Sequence, residues 1–385
     1  MNRFFSKIFS YVLLSSCVLL GASVFSAHAE PINENSVNIA AIFYGYGKAV
    51  QFSNSEHPGF VGAQIAVDEL NLRGGILGKH VNLLRYNYDS TNLGASTSAK
   101  QAVADGVIGI VGPSWSSHSK AVGKIAQKAK IPMITPTGTN VSVTQVGDYI
   151  FRACFIDSFQ GEIMASFAIK ELGAKTALVL TDSTRSYSTG LSEYFIQSFQ
   201  KSGGKILWQG EYLGDEIDFI SLIDEAKKFS PDVIFVPGSY RDSGGIIKQA
   251  RLAGMKGIFL SGDGWEAEMA KTYGDVVDGS YFSETWHQDF NQKSKVFVKK
   301  YKKRMWNMLS SGPLSYDAVM LLADASERAQ SLDPKKIRDA LAATTDFEGL
   351  GGKIQFDSNR NPSKPAAILK FENGDARFVK SFSAQ

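Results

Sequence analysis

The sequence predicts an α/β protein built as two doubly wound lobes, each around a parallel sheet. Three observations carry this. Short β-branched runs alternate with amphipathic stretches, the pattern of βαβ units. The alternation runs once from Val37 to Phe155 and then starts afresh, so one sheet does not account for it. The chain is also long enough for two ordinary domains, since about 355 residues remain after its N-terminal leader.

That leader reads as residues 1–29. Arg3 and Lys7 precede an apolar stretch, and Ala27-His28-Ala29 supplies the small-residue pattern of a signal-peptidase site. Cleavage after Ala29 predicts a soluble protein exported to the periplasm. A lipoprotein box at Leu14-Ser15-Ser16-Cys17 is the alternative, but it would leave the apolar tail "VLLGASVF" on a soluble domain. An uncleaved anchor fares worse, because serines interrupt a run already short for a membrane span.

In the first series "VNIAAIF" is a strand, "GFVGAQIAVDELNLRGG" a helix ended by Gly74-Gly75, "VNLLRYNYD" a strand and "GASTSAKQAVADG" a helix. The runs "VIGIVG", "IPMITP" and "YIFRACF" continue it. The second series begins with a helix from Ser158 to Leu172 and strand "TALVLTD". A helix to Lys201, strand "KILWQGEY", a helix near Ile220 to Phe229 and strand "DVIFVPG" follow, then a helix to Leu252 and strand "GIFLSGD". From Phe290 the chain turns helical through "KVFVKKYKKRMW", "SYDAVMLLADASERAQ" and "DPKKIRDALAAT", and it closes with β segments "GGKIQFD" and "AAILKFENG".

Composition excludes several classes. The chain carries 41 Lys and Arg against 38 Asp and Glu, and losing Arg3 and Lys7 with the leader brings it close to neutrality. Nothing attracts a polyanion; the basic run Lys299 to Arg304 is the solvated face of an amphipathic helix whose apolar side carries Val296, Val298 and Tyr301. With Cys17 in the leader, Cys154 stands alone and reads as an inert buried thiol. "GYGK" at Gly45 does not complete a dinucleotide loop, and no phosphate-binding P-loop is present. His57, His80, His118 and His287 lack metal-ligand spacing, so neither metal nor cofactor is expected.

The stretch "VGPSWSSHS" (111–119) holds more hydroxyls than the single helix cap it needs. His118 beside Ser116 and Ser117 allows a serine hydrolase as a rival reading, although the nucleophile-elbow motif is missing. Binding explains the hydroxyls better.

The ordered pieces "GAQIAVDELNLRGGILGKHVNLL", "DGVIGIVGPSWSS", "AKIPMITPTGTN", "YIFRACFIDSFQG", "PDVIFVPGSYRDSGGIIKQARLAGM", "LSGDGWE" and "SYDAVMLLADA" resemble the periplasmic leucine/isoleucine/valine-binding proteins that feed ABC transporters. The likeness spans Val37 to Gly374. It implies a type I periplasmic binding protein: two lobes joined by three hinge crossings, with residues 36–152 and 284–345 in one and 153–283 and 346–385 in the other. It further implies a small, aliphatic or branched-chain amino acid bound in the interlobe cleft, an ABC permease as partner, a monomer, and no catalysis. A sensory protein of the same fold signalling to a membrane receptor is the other reading.

Several candidate residues fall at or just beyond strand carboxyl ends, where open parallel sheets bind ligands. Hydroxyls and N–H groups of Ser116 and Ser117 at a helix start suit a carboxylate. In "TPTGT", the Thr139 hydroxyl and N–H are further donors, the Thr137 carbonyl is an acceptor for an ammonium group, and Gly138 permits close approach. The resemblance assigns these positions to the α-carboxylate and part of the α-amino group, and Asp263 in "SGDGW" to the ammonium, where many members carry glutamate. As an isolated feature Asp-Gly would be an ordinary turn. Tyr187 and Tyr240 match aromatic positions closing over the ligand, though alone they would read as packing. Trp115 and the loop before His57 depart from the family pattern and bear on the space left for the ligand's side chain; Trp265, two residues after Asp263, reads by default as packing at the lobe edge, as Trp115 also can.

Overall fold

The computed structural model describes residues 35–45, 56–305 and 308–383. Residues 1–29, expected to be a leader, and most of the loop before His57 lie outside them. Residues 35–385 form one compact unit.

The first series folds as β1 (Ser36–Tyr44), α1 (Pro58–Leu72), β2 (His80–Tyr88), α2 (Asn92–Ala104), β3 (Gly109–Val111), α3 (Ser116–Ala129), β4 (Met133–Thr135) and β5 (Ile150–Arg152). Its sheet is parallel throughout, in the order β2-β1-β3-β4-β5. The second comprises α4 (Asp157–Lys170), β6 (Thr176–Asp182), α5 (Ser186–Lys201), β7 (Lys205–Tyr212), α6 (Ile220–Ala226), β8 (Val233–Phe235), α7 (Tyr240–Leu252), β9 (Ile258–Ser261), α8 (Glu268–Tyr273) and β10 (Tyr281–Glu284). Its strands run β10-β9-β8-β6-β7, which repeats the winding of the first sheet. In both, the order reverses beside the first strand of the series, and that is where an open α/β sheet leaves a crevice.

The chain then returns to the first lobe with α9 (Gln292–Tyr301), α10 (Ser311–Ala329), α11 (Pro334–Ala342) and the hairpin β11 (Phe347–Gly349) and β12 (Gly352–Ile354). Leu314, Val319, Leu321 and Leu322 of α10 and Ile337 and Leu341 of α11 share a core with Ile39, Phe43 and Val111 of the first sheet. The expected return to the second lobe at residue 346 comes later, because Leu350, Ile354 and Phe356 are buried in that same first core. Only then do β13 (Ala366–Glu372) and β14 (Asp375–Phe382) join the second sheet, where both of their pairings are antiparallel. The second sheet is therefore mixed. The three crossings follow β5, β10 and β12.

Continuous burial marks the central strands: β3, β4, β5 and β8 are covered on both faces, as central parallel strands require. Trp265 is fully buried against Phe282 and Phe371, so it packs the second core rather than lining a pocket. Among the described residues no helix is long and apolar enough to cross a membrane.

Candidate functional site

The hydroxyl-rich loop after β3 is knitted to the loop after β4. Ser119 Oγ donates to the Pro113 carbonyl (3.0 Å), Thr135 Oγ1 donates to the same oxygen (2.6 Å), and Gly138 N donates to Thr135 Oγ1 (2.9 Å). Ser116 is not the helix cap. Trp115 holds that position with no side-chain bond, while Ser116 Oγ accepts from Asn140 N at 3.1 Å. Its own hydroxyl hydrogen remains to be donated. The N–H groups of Ser116, Ser117 and His118 precede the first helical bond of α3, Ser119 N to the Trp115 carbonyl, so they form a donor cluster at a positive helix end.

Arg152, fully buried at the end of β5, fixes the second loop from below. Its guanidinium donates to the carbonyls of Gly138 (2.7 Å) and Asn140 (2.9 Å). Asp157 lies beside it, equally buried. Burial pushes its acid well above the usual carboxylate range, and the nearby Asp263 adds to the rise.

Between the lobes lies a cavity of about 70 Å³. The first lobe supplies Tyr44, His57, Ser114, Trp115, Ser116, Thr137 and Leu309 to Ser311; the second supplies Tyr187, Asp263, Gly264, Glu266 and Glu284. Of the residues expected from the sequence, Ser116, Thr137, Tyr187 and Asp263 thus meet in one chamber. Ser117 and Tyr240 line a neighbouring, outer chamber of about 380 Å³, which shares Tyr44, Trp115 and Glu266 with the inner one. Gly138 and Thr139 sit behind the inner wall: Thr139 is wholly buried, and its carbonyl accepts from Asp157 N at 3.0 Å. A larger groove of about 720 Å³, near Arg73, Lys293 and Tyr316, opens elsewhere on the first lobe and holds none of the expected residues.

Asp263 follows β9 at its carboxyl end. Gln160 Nε2 donates to its Oδ1 at 2.9 Å, yet burial outweighs this and raises the acid to about 6. Glu266 is raised by burial to about 7 against the pull of Arg241, and burial drives Glu284 well above its usual value. His57 Nδ1 accepts from Gly59 N, and burial lowers this ring to about 3, so it is neutral. Tyr187 packs edge-on against Trp115 across the cleft at 6.3 Å, and its hydroxyl accepts from Gly264 N at 2.8 Å. Arg185 stacks on the Trp115 ring at 4.9 Å, and Asn140 Nδ2 donates to the Ser186 carbonyl at 2.5 Å. The lobes are closed on one another.

His118 does not serve a serine. Its Nδ1 faces the Tyr88 hydroxyl at 2.9 Å, and burial lowers its pKa to about 4. Cys154 is buried, with its thiol pushed up to about 12. Among the described residues no group of His, Cys, Asp and Glu is placed to hold a metal.

Residues 44–376 match the family model described as periplasmic binding protein. The chain belongs to that family. This periplasmic binding protein resembles a leucine binding protein, LivK, from Thermotoga maritima, with 35% identity and a TM-score of 0.84 over 90% of this chain and 99% of that one. It is also similar to the branched-chain amino acid transporter substrate binding protein LivJ from Streptococcus pneumoniae, solved with isoleucine: 29% identity, TM-score 0.82, with the same two coverages. A leucine-, isoleucine-, valine-, threonine- and alanine-binding protein of Pseudomonas aeruginosa is 27% identical over 90% of this chain and 91% of its own length.

Sequence reasoning passed over Glu266, Glu284, Gln160, Arg152 and Ser310 in this periplasmic binding protein. A single glutamate after a strand carries no local signal. The offset from Asp263 to Glu284, two successive strand ends, becomes informative only once β9 and β10 are known to pair.

Proposed function

We propose that the protein captures a small aliphatic or branched-chain amino acid in the interlobe cavity, in the periplasm, and presents it as a monomer to an ABC permease. The observation that carries this is the division of charge across the inner chamber and the outer one that adjoins it. Hydroxyls and helix-start N–H groups of Ser116 and Ser117 come from the first lobe, and the Asp263 carboxyl from the second. An α-amino acid carries the complementary pair, and both of its charges need partners once water is excluded. In this reading the α-carboxylate lies against Ser116, Ser117 and the Thr139 side of the "TPTGT" loop, whose shape Gly138 and Arg152 set. The ammonium group lies between Asp263 and the Thr137 carbonyl, and Tyr187 and Tyr240 close the chamber. The small cavity suits a small ligand, and the relatives' names support the aliphatic class. It is a binding protein, not an enzyme.

Calorimetry on the secreted protein with leucine, isoleucine, valine and alanine tests this. Asp263→Asn would leave the buried ammonium without its counter-charge, a loss on the order of 3 to 5 kcal/mol. Affinity should fall at least about 100-fold. Ser116→Ala removes one charge-assisted bond and should cost less, about 1.5 to 3 kcal/mol. If Asp263→Asn binds within about twofold of the parent, roughly 0.4 kcal/mol, the amino-acid reading is wrong.

A further inference from the structure

The inner chamber holds more acid than one ammonium group requires. Asp263, Glu266 and Glu284 all line it, and among the described residues no lysine or arginine does. Glu284 ends β10, the strand that pairs with β9, so it sits on the wall next to Asp263. Its Oε2 accepts twice, from Thr285 N at 3.2 Å and from the Ser310 hydroxyl. Among the described residues its Oε1 has no partner, and it is not sealed inside the protein, so it opens on the cavity. Leu309 and Ser311 complete that wall.

An aliphatic side chain set against Oε1 leaves a carboxyl oxygen dehydrated and unpaired, which is penalised. A hydroxyl both donates and accepts, so it satisfies this atom whether or not the acid is protonated. We propose that Glu284 is a specificity-determining residue that reads a hydroxyl on the ligand's side chain, so that the site takes small hydroxy amino acids of the threonine kind as well as aliphatic ones. This rests on the amino-acid reading above. Burial pushes the Glu284 acid well above the usual carboxylate range, which favours its neutral form. Because both protein donors address Oε2, the proton belongs on Oε1, where it can meet a ligand oxygen.

Threonine and valine are near-isosteres that differ by this hydroxyl, and the ratio of their affinities is the readout. A general loss of packing moves both affinities together and leaves the ratio alone. Dissociation constants of both are measured on the parent, on Glu284→Gln and on Glu284→Leu. The parent should favour threonine roughly tenfold, Glu284→Gln should keep that preference within about threefold, and Glu284→Leu should reverse it. A measurement on the parent alone guards against a variant that fails to fold: threonine and allo-threonine, which exchange hydroxyl and methyl, should differ by about tenfold. Equal binding of threonine and valine to the parent, equal binding of the two stereoisomers, or a Leu variant that keeps the preference overturns the inference alone. If no amino acid binds the parent, the reading of the site fails and the inference fails with it.

Discussion

Burial raises the Asp263 acid to about 6 even though Gln160 donates to it, so the proposed ammonium partner is costly to keep charged. The sign of two effects follows. A ligand ammonium pairs with the carboxylate form, so a proton must leave first when the pH is below about 6. Affinity should weaken by up to about tenfold per pH unit below that point. Titrations between pH 5 and 8, in buffers of differing ionisation enthalpy, should show proton release on binding near pH 6. For folding the direction is opposite. The folded acid lies above the unfolded value of about 3.9, so the folded state holds the proton more tightly and stability falls as pH rises from about 4 to about 6. Asp263→Asn removes that cost. Without ligand at pH 7.5 it should raise the melting temperature by a few degrees, on the order of 1–2 kcal/mol, while binding collapses. A lowered melting temperature with retained binding would make Asp263 a structural residue.

At the level of elements, α1 and α10 approach through small residues. A Cβ on Gly62 would lie 1.8 Å from the Gly312 carbonyl oxygen, a backbone atom that cannot swing away. Gly62→Ala should force the helices apart and cost about 1–3 kcal/mol in urea unfolding, with the loss read against an unchanged m-value. Most elements are legible in the sequence because the central strands are continuous apolar runs and the helices between them end at Gly74-Gly75 or Gly254. The exceptions have physical causes. β14, "DARFVKSF", is an edge strand with no fully buried residue, so alternation is faint and its pairing depends on β13. α8 has six residues, too few for a helical period to show. In the site, Ser116, Thr137, Tyr187 and Asp263 are legible from the resemblance together with their places beyond strand ends. Glu284 and Arg152 are not, because what they do depends on atoms distant in sequence, Ser310 for the one and Gly138 for the other.

Over the whole molecule, the contacts that cross the cleft among the described residues are mostly polar or aromatic, among them Trp115 with Tyr187 and Arg185, Asn140 with Ser186, and Ser310 with Glu284. Such an interface is small beside the two lobe cores, so the ligand's own contacts have to tip the balance between open and closed forms. Small-angle scattering should show the radius of gyration falling on saturation with ligand. An unchanged radius would count against ligand-driven closure. Arg185→Ala removes the stack on Trp115, and its effect should appear chiefly as faster ligand release in stopped-flow measurements.

The return of the chain to its first lobe also dictates an order of events during synthesis. One face of the β1 to β5 sheet is covered by α10 and α11, which emerge some 160 residues after β5 does, as their positions at Ser311–Ala329 and Pro334–Ala342 require. Until then Ile39, Phe43 and Val111 lack part of their apolar cover, whereas strands β6 to β10 and their helices are already complete in one uninterrupted stretch. The lobe that begins first is therefore finished after most of the second has been made. A nascent chain halted between β10 and α9 carries an uncovered sheet face, the kind of exposed apolar surface that chaperones shield and that aggregation seeks out.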